Sequence, residues 1–335
     1  MPPMKLLTLN GGGTAGYASC LLLSRLEAET RLPCTSMFDL IHGVSTGSII
    51  AAALSIGLST DAITRLYQSE IPLIFQKSFW PPWKGLLSGS KYDHEHLQMI
   101  ADAIFDNRTM ADVRVPLMIH ALQISPVVSP TFWKSWKTDS NRVQIADAVV
   151  ASCSAPTFFP PKEINERVYV DGGMCANNPS HCTIVEALKA GASPADITIL
   201  NIQLGDAPRF ELRQALKMKS LVNWAPKLVK VMLSSNVEIA EYLSNNLIDN
   251  YINVDFNFQE PLDYWSDAFE FKCERMVDQF WSSNKSRIVD SLMGCKTATV
   301  ARPSRSPATA TTKRYKNKND KGTDGTAANN SNSNY

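Results

Sequence analysis

Gly43-Val44-Ser45-Thr46-Gly47 sets a serine two positions from a glycine on either side. The chemistry this spacing suits is nucleophilic. A sharp strand-to-helix turn lifts the hydroxyl out of a sheet, and the glycines Gly43 and Gly47 let the backbone crowd around Ser45. A helix starting at Ser48 would aim its N-terminus at the site, where it favours developing negative charge. A plain Gly/Ser turn is the alternative reading. The apolar run before the motif and the apolar, Ala-rich run after it favour the nucleophile. A second motif, Gly11-Gly12-Gly13-Thr14-Ala15-Gly16, leaves backbone N–H groups free to meet an anion. Read as G-x-G-x-x-G through Gly11, Gly13 and Gly16, it also fits a dinucleotide fingerprint, which needs an acidic residue at the end of the next strand, about 20 residues on. The next strand instead ends in the serine motif, and Asp39 lies inside it. The expectation is therefore an oxyanion hole formed by Gly11, Gly12 and Gly13, each donor worth about 10²–10³ in rate. A third motif, Asp171-Gly172-Gly173, ends a short apolar strand. Its aspartate could reach Ser45, although Asp-Gly is also ordinary turn chemistry.

Five histidines are present: His42, His94, His96, His120 and His181. A triad in the order serine, acid, histidine could use only His181, which stands at the start of a helical run. His42 lies in a buried strand and reads as a hydrogen-bonded core residue. His94 and His96 are two apart in a helical stretch, so they face different ways. No metal and no cofactor are expected. The seven cysteines contain no C-x-x-C pair, which argues against a zinc ribbon.

The elements that must carry these residues follow from periodicity. Strands are read over Lys5–Leu9, Phe38–His42, Val115–Ile124, Arg167–Val170, Ile197–Leu204 and Tyr251–Asp255. Helices are read over Tyr17–Glu29, Ser48–Leu54, Asp61–Ser69 with Ser59 as cap, Asp93–Phe105, Gln144–Ser152 and Pro179–Ala190. Two successive strand–turn–helix units point to a parallel sheet with helices on its faces. Ile71–Lys91 carries Phe75, Phe79, Trp80 and Trp83 among prolines and reads as a loop that could dock on a membrane or cover a sheet edge. Phe132, Trp133 and Trp136 allow the same two readings. The organisation expected is a catalytic core over 5–205, a mostly helical part over 206–296, and a disordered low-complexity tail over 297–335.

With 335 residues, 44% of them hydrophobic, the chain can build a full core. A net charge of +1 argues against a dedicated nucleic-acid binder. The odd cysteine count and the absence of a signal-peptide pattern point to a cytoplasmic protein, and the aromatic segment Phe75–Trp83 leaves peripheral membrane contact open.

Taken in order, the glycine loop, the serine motif and Asp171-Gly172-Gly173 resemble the patatin-like phospholipase family. Three flanks agree: Phe38–His42 before the serine motif, Ala151–Pro160 before the aspartate strand, and Asn177-Asn178-Pro179 after it. The resemblance spans residues 5–205. It implies an α/β fold, a three-layer α/β/α sandwich with a mainly parallel central sheet. It also implies a Ser45–Asp171 dyad that hydrolyses acyl esters of lipids through an acyl-enzyme, in the manner of a phospholipase A or lysophospholipase. The partner implied is a lipid substrate at a membrane surface, with no nucleic acid, and homo-oligomers are left open. An acyltransferase on the same fold, a signal-switched effector phospholipase and a catalytically silent binding module are the alternatives. The chain departs from the family pattern at Asn10, usually Asp, at Ala15, usually Arg or Lys, and at Ser48, often Gly. The backbone donors survive these changes, and one cation near the loop is lost.

Overall fold

A computed structural model describes residues 3–75, 90–205 and 221–294, the last without the side chains of 221–227, 229 and 230. The tail read over 297–335 and most of the aromatic segment Phe75–Trp83 lie outside the described residues.

The first strand, β1 (Met4–Leu9), is buried from Leu6 to Leu9, and β7 (Ile197–Leu204) is buried along its whole length. Continuous burial of this kind marks strands covered on both faces. Alternation then sorts their side chains. Leu7, Leu9, Leu200 and Ile202 enter one core, while Leu6, Ile197 and Ile199 enter the other. The first core holds the helices Gly16–Thr30, Thr46–Ser55, Ile145–Ser152 and Asp267–Met293; the second holds the helix Ser180–Lys189. A sheet between two helical layers is the sandwich expected from the sequence.

The sheet has eight strands. The others are β2 (Leu40–Gly43), β3 (Leu117–Ser125), β4 (Ser129–Lys134), β5 (Lys162–Ile164), β6 (Arg167–Asp171) and β8 (Asn250–Phe256). The order is β5-β6-β3-β2-β1-β7-β8, with β4 paired to β3. The run β3-β2-β1-β7-β8 is parallel, and β4, β5 and β6 are antiparallel additions. Thr8 Oγ1 donates to Asn201 Oδ1 and Asn201 Nδ2 to Asn253 Oδ1, each at 2.7 Å, tying β1, β7 and β8 together inside the protein.

One feature of the register positions the site. Gly43 at the end of β2 pairs with Ile119, and Asp171 at the end of β6 pairs with Ala121. β4 pairs with β3 across both stretches, so β2 and β6 must share the opposite edge of β3. They approach along that edge from opposite directions, and their C-terminal ends meet at His120.

Local readings largely match, with differences at the edges. Ser59 caps the helix Thr60–Ser69 by accepting from Ala62 N. Within the segment read as a loop from Ile71, residues Ile71–Ile74 form a short helix. Periodicity did not point to β4 or β5, because β4 is an edge strand only partly buried and β5 is three residues long.

Candidate active site

Ser45 sits between β2 and the helix Thr46–Ser55 with φ 53° and ψ −135°. This is left-handed backbone that a serine adopts only where the surroundings impose it. The neighbours impose it by crowding. A Cβ on Gly43 would run into the Gly47 carbonyl, and one on Gly47 into the Leu9 carbonyl. Ser48 Oγ donates to the Ser45 carbonyl at 2.6 Å, so the residue that departs from the family pattern braces the turn.

The Ser45 hydroxyl donates to Asp171 Oδ2 at 2.7 Å, and Gly173 N–H donates to Asp171 Oδ1 at 2.6 Å. Asp171 is buried, and burial pushes its carboxyl up to about 7 against the pull of these two hydrogen bonds. Both residues are also held from the C-terminal end of the helix Ile145–Ser152. Ser45 N–H donates to Ser152 Oγ at 2.9 Å, and Ser152 Oγ donates to the His120 carbonyl at 2.7 Å. Asp171 N–H donates to the Ser154 carbonyl at 2.9 Å, and Gly172 N–H to the Ser152 carbonyl at 3.3 Å. The flank Ala151–Pro160 thus clamps both site residues, which its sequence does not reveal. Ser152 is one serine among many, and only the fold reveals what it touches. Ser152→Ala takes the bridging hydroxyl from both groups, and stranded polar groups cost about 1–3 kcal/mol. A drop of about 2 kcal/mol in urea-unfolding stability is expected; an unmoved midpoint would show that the clamp holds nothing.

Gly11, Gly12 and Gly13 line a cavity of about 320 Å³ together with Ser45 and Asp171, and Gly11 packs directly against Ser45. The N–H groups of Asn10, Thr14 and Ala15 are committed to carbonyls, and that of Gly12 makes a long bond of 3.3 Å to Thr46 Oγ1. Among the described residues, Gly11 and Gly13 N–H have no protein acceptor. Gly13 has φ 61°, and a side chain there would strike the Leu262 carbonyl. Gly16, the last glycine of the G-x-G-x-x-G pattern, does not line the cavity and instead starts a helix against Tyr67. The rest of the cavity wall is mostly apolar, with Ile49, Leu97, Phe159, Leu204, Val237 and Phe258 in it.

The histidines lie elsewhere in the bonding. His42 is buried, with Nδ1 2.8 Å from Thr183 Oγ1 and Nε2 2.9 Å from His120 Nδ1. His120 Nε2 is 3.0 Å from the Ala176 carbonyl, and burial holds both rings below the usual histidine range. His94 Nε2 is 3.0 Å from Ser154 Oγ. His181 Nε2 stands 3.3 Å from Cys182 Sγ, and both Asp171 oxygens are taken by Ser45 and Gly173. Asp171 is therefore not paired with His181. Phe75 lines the cavity and packs on Tyr92 and Phe159. Phe132 packs on His42 and His120, Trp133 is buried and Trp136 is exposed. Among the described residues there is no cluster of side chains able to hold a metal, and no helix is long and apolar enough to cross a membrane.

Comparison with known proteins identifies the family. A family model described as "Patatin-like phospholipase" matches residues 7–182. The chain is 30% identical over 290 residues to a cUMP-AMP-activated phospholipase of Escherichia coli, covering 81% of this chain and 87% of that one. It is 27% identical over 293 residues to a cGAMP-activated phospholipase of Vibrio cholerae, covering 76% and 82%. Among solved structures, VipD from Legionella pneumophila is similar at 13% identity, with a TM-score of 0.49 over 84% of this chain and 67% of that one.

Proposed function

The chain belongs to the patatin-like phospholipase family, a family of lipid ester hydrolases, and from that premise we propose that it cleaves carboxylic esters of membrane lipids through a Ser45–Asp171 dyad. The observation that carries this reading is the 2.7 Å hydrogen bond from Ser45 Oγ to Asp171 Oδ2 beside the glycine loop. In this mechanism Ser45 Oγ attacks the ester carbonyl as its proton passes to Asp171. The tetrahedral oxyanion is met by backbone donors of Gly11, Gly12 and Gly13, of which Gly11 and Gly13 have no acceptor among the described residues. The C–O bond to the alcohol then breaks, and Asp171 gives the proton to the departing oxygen. Water, deprotonated by the same carboxylate, attacks the acyl-enzyme and frees the fatty acid and Ser45.

Burial makes the unusual base workable. An ordinary aspartate near 4 is a weak base at neutrality, whereas a carboxyl at about 7 accepts a proton far more readily. The ionised form is the active one. kcat/KM should therefore fall about tenfold per pH unit below about 7 and level off above it.

We further propose that a cyclic dinucleotide switches the activity on. The support is the name of the relatives, two of which, described as cUMP-AMP-activated and cGAMP-activated phospholipases, match along most of both chains. One experiment addresses both proposals. Vesicles of bacterial lipid are incubated with the protein across pH 5–9, with and without cyclic UMP–AMP, and the products are read by mass spectrometry. Free fatty acid and lysolipid should appear, follow the pH profile above, and increase with the nucleotide. Acyl transfer to an added alcohol without net fatty acid release would favour the acyltransferase reading. Equal yield with and without cyclic dinucleotides would remove the switch.

A further inference from the structure

The cavity wall is uneven in a way the hydrolytic mechanism does not use. Away from the dyad its polar side chains include Thr157, Ser234, Gln203 on β7, Glu238 and Glu260. Gln203 is 8% exposed, and its Oε1 is buried without a hydrogen-bond partner. Glu260 follows β8. Its Oε1 accepts from Lys272 Nζ at 2.6 Å, while its Oε2 is buried without a partner. Both unpaired atoms are acceptors, and they stand on adjacent strands or the segment just after. Among the described residues that line the cavity there is no Lys, Arg or His, whereas Asp171, Glu238 and Glu260 supply carboxylates.

Strand order places these acceptors relative to the reaction. Ser45 follows β2, the glycine loop follows β1, and Gln203 is next to last in β7, so the loop stands between the dyad and Gln203. The segment carrying Glu260 runs on to Leu262, whose carbonyl receives Thr14 N–H at 2.9 Å beside Gly13. An ester held at the loop has an apolar acyl side and a polar alcohol side. Two buried acceptors with no protein donor suit the alcohol side. An unmet buried acceptor costs about 1–3 kcal/mol, so a ligand that brings an O–H or N–H there gains what a ligand without one forfeits.

We propose that Gln203 and Glu260 form a subsite that recognises a hydrogen-bond donor on the alcohol portion of the lipid, either a free glycerol hydroxyl or a primary ammonium. The inference rests on the ester-hydrolase reading of the site. It makes the chain select among lipids by a donor on the alcohol portion.

The test uses the full chain and four esters of one fatty acid: a monoacylglycerol, with hydroxyl donors; phosphatidylethanolamine, with a primary ammonium; phosphatidylcholine, whose ammonium has no N–H; and the methyl ester, with neither. Hydrolysis is measured with cyclic UMP–AMP present, in wild type, Gln203→Met and Glu260→Gln. Gln203→Met keeps length and removes the acceptor, and it provides a readout if loss of the Lys272 pair harms folding of Glu260→Gln. Wild type should favour monoacylglycerol over methyl ester, or ethanolamine over choline lipid, by about 10–100-fold in kcat/KM. The first preference identifies the hydroxyl source and the second the ammonium. In Gln203→Met the favoured ratio should shrink to about threefold or less. Ratios unchanged in Gln203→Met, or absent from wild type, overturn the subsite while leaving the dyad standing. Failure of wild type to hydrolyse any of the four overturns the dyad reading and the subsite with it.

Discussion

Ser45→Ala is expected to lower ester hydrolysis by about 10⁴–10⁶-fold while leaving the fold intact. The hydroxyl is the only atom lost, and the mechanism has no other group to form the acyl-enzyme. What remains is the oxyanion loop and the cavity, which can bind an ester and polarise it but cannot attack it. Stability should hardly change, because alanine inherits the same left-handed φ of 53° and loses one hydrogen bond to a carboxyl already close to neutral. A short-chain ester assay and labelling by a fluorophosphonate measure the two sides of the claim. Turnover near wild type, or labelling that persists in the variant, would remove Ser45 from the chemistry.

Asp171→Asn should cost about 10⁴-fold in hydrolysis and, unlike most changes at a buried site, make the protein more stable at neutral and alkaline pH. The sign follows from burial. The folded carboxyl is raised from 3.8 to about 7. Below pH 3.8 the group is neutral in both states and its contribution to stability is fully present. Between 3.8 and about 7 the unfolded chain releases the proton and the folded one keeps it, so stability falls as pH rises, and the loss is complete above about 7. Asparagine is neutral throughout. Its Oδ1 can still accept from Gly173 N–H, and its amide can donate to Ser45 Oγ. The variant should gain little near pH 4 and on the order of 4 kcal/mol by pH 8. Urea unfolding at the two pH values measures it. A variant less stable than wild type at pH 8 would mean that the native carboxylate is favoured in its charged form. The oxyanion-hole proposal would then have to carry the rate alone, because an aspartate that strongly acidic makes a poor base.

The two expectations separate catalysis from stability. On these expectations Ser45 contributes to the reaction and little to the fold, whereas Asp171 serves the proposed reaction at the fold's expense. A buried, ionisable group kept where an amide would be more stable is what a working base requires, since only a partly dry site lifts a carboxyl toward neutrality.

The parts of this architecture that are local were legible in the chain. The turn at Ser45 shows because two glycines must stand where backbone meets backbone, and crowding of that kind excludes every other residue type. The strands β1 and β7 show because burial on both faces demands mostly apolar runs, and the helix Thr60–Ser69 shows because Ser59 must cap it. Asp171 was suspected only from the company of the other motifs, since aspartate before glycine is equally good turn chemistry. Ser152, Gln203 and Glu260 carried no signal, because nothing about a serine, glutamine or glutamate in isolation says which backbone or cavity it will face.

By itself, then, the order of residues determined the elements, the layers they build and the three turns that hold reactive groups, all consequences of interactions within a few residues of chain. Only the tertiary structure decided that β2 and β6 end head to head on one edge of β3, that the helix ending at Ser152 clamps both ends, and that Asp171 is dry. Those outcomes depend on strand pairing between segments more than a hundred residues apart. Neighbouring residues feel no force from such partners until the sheet is formed, so they leave no local pattern to read.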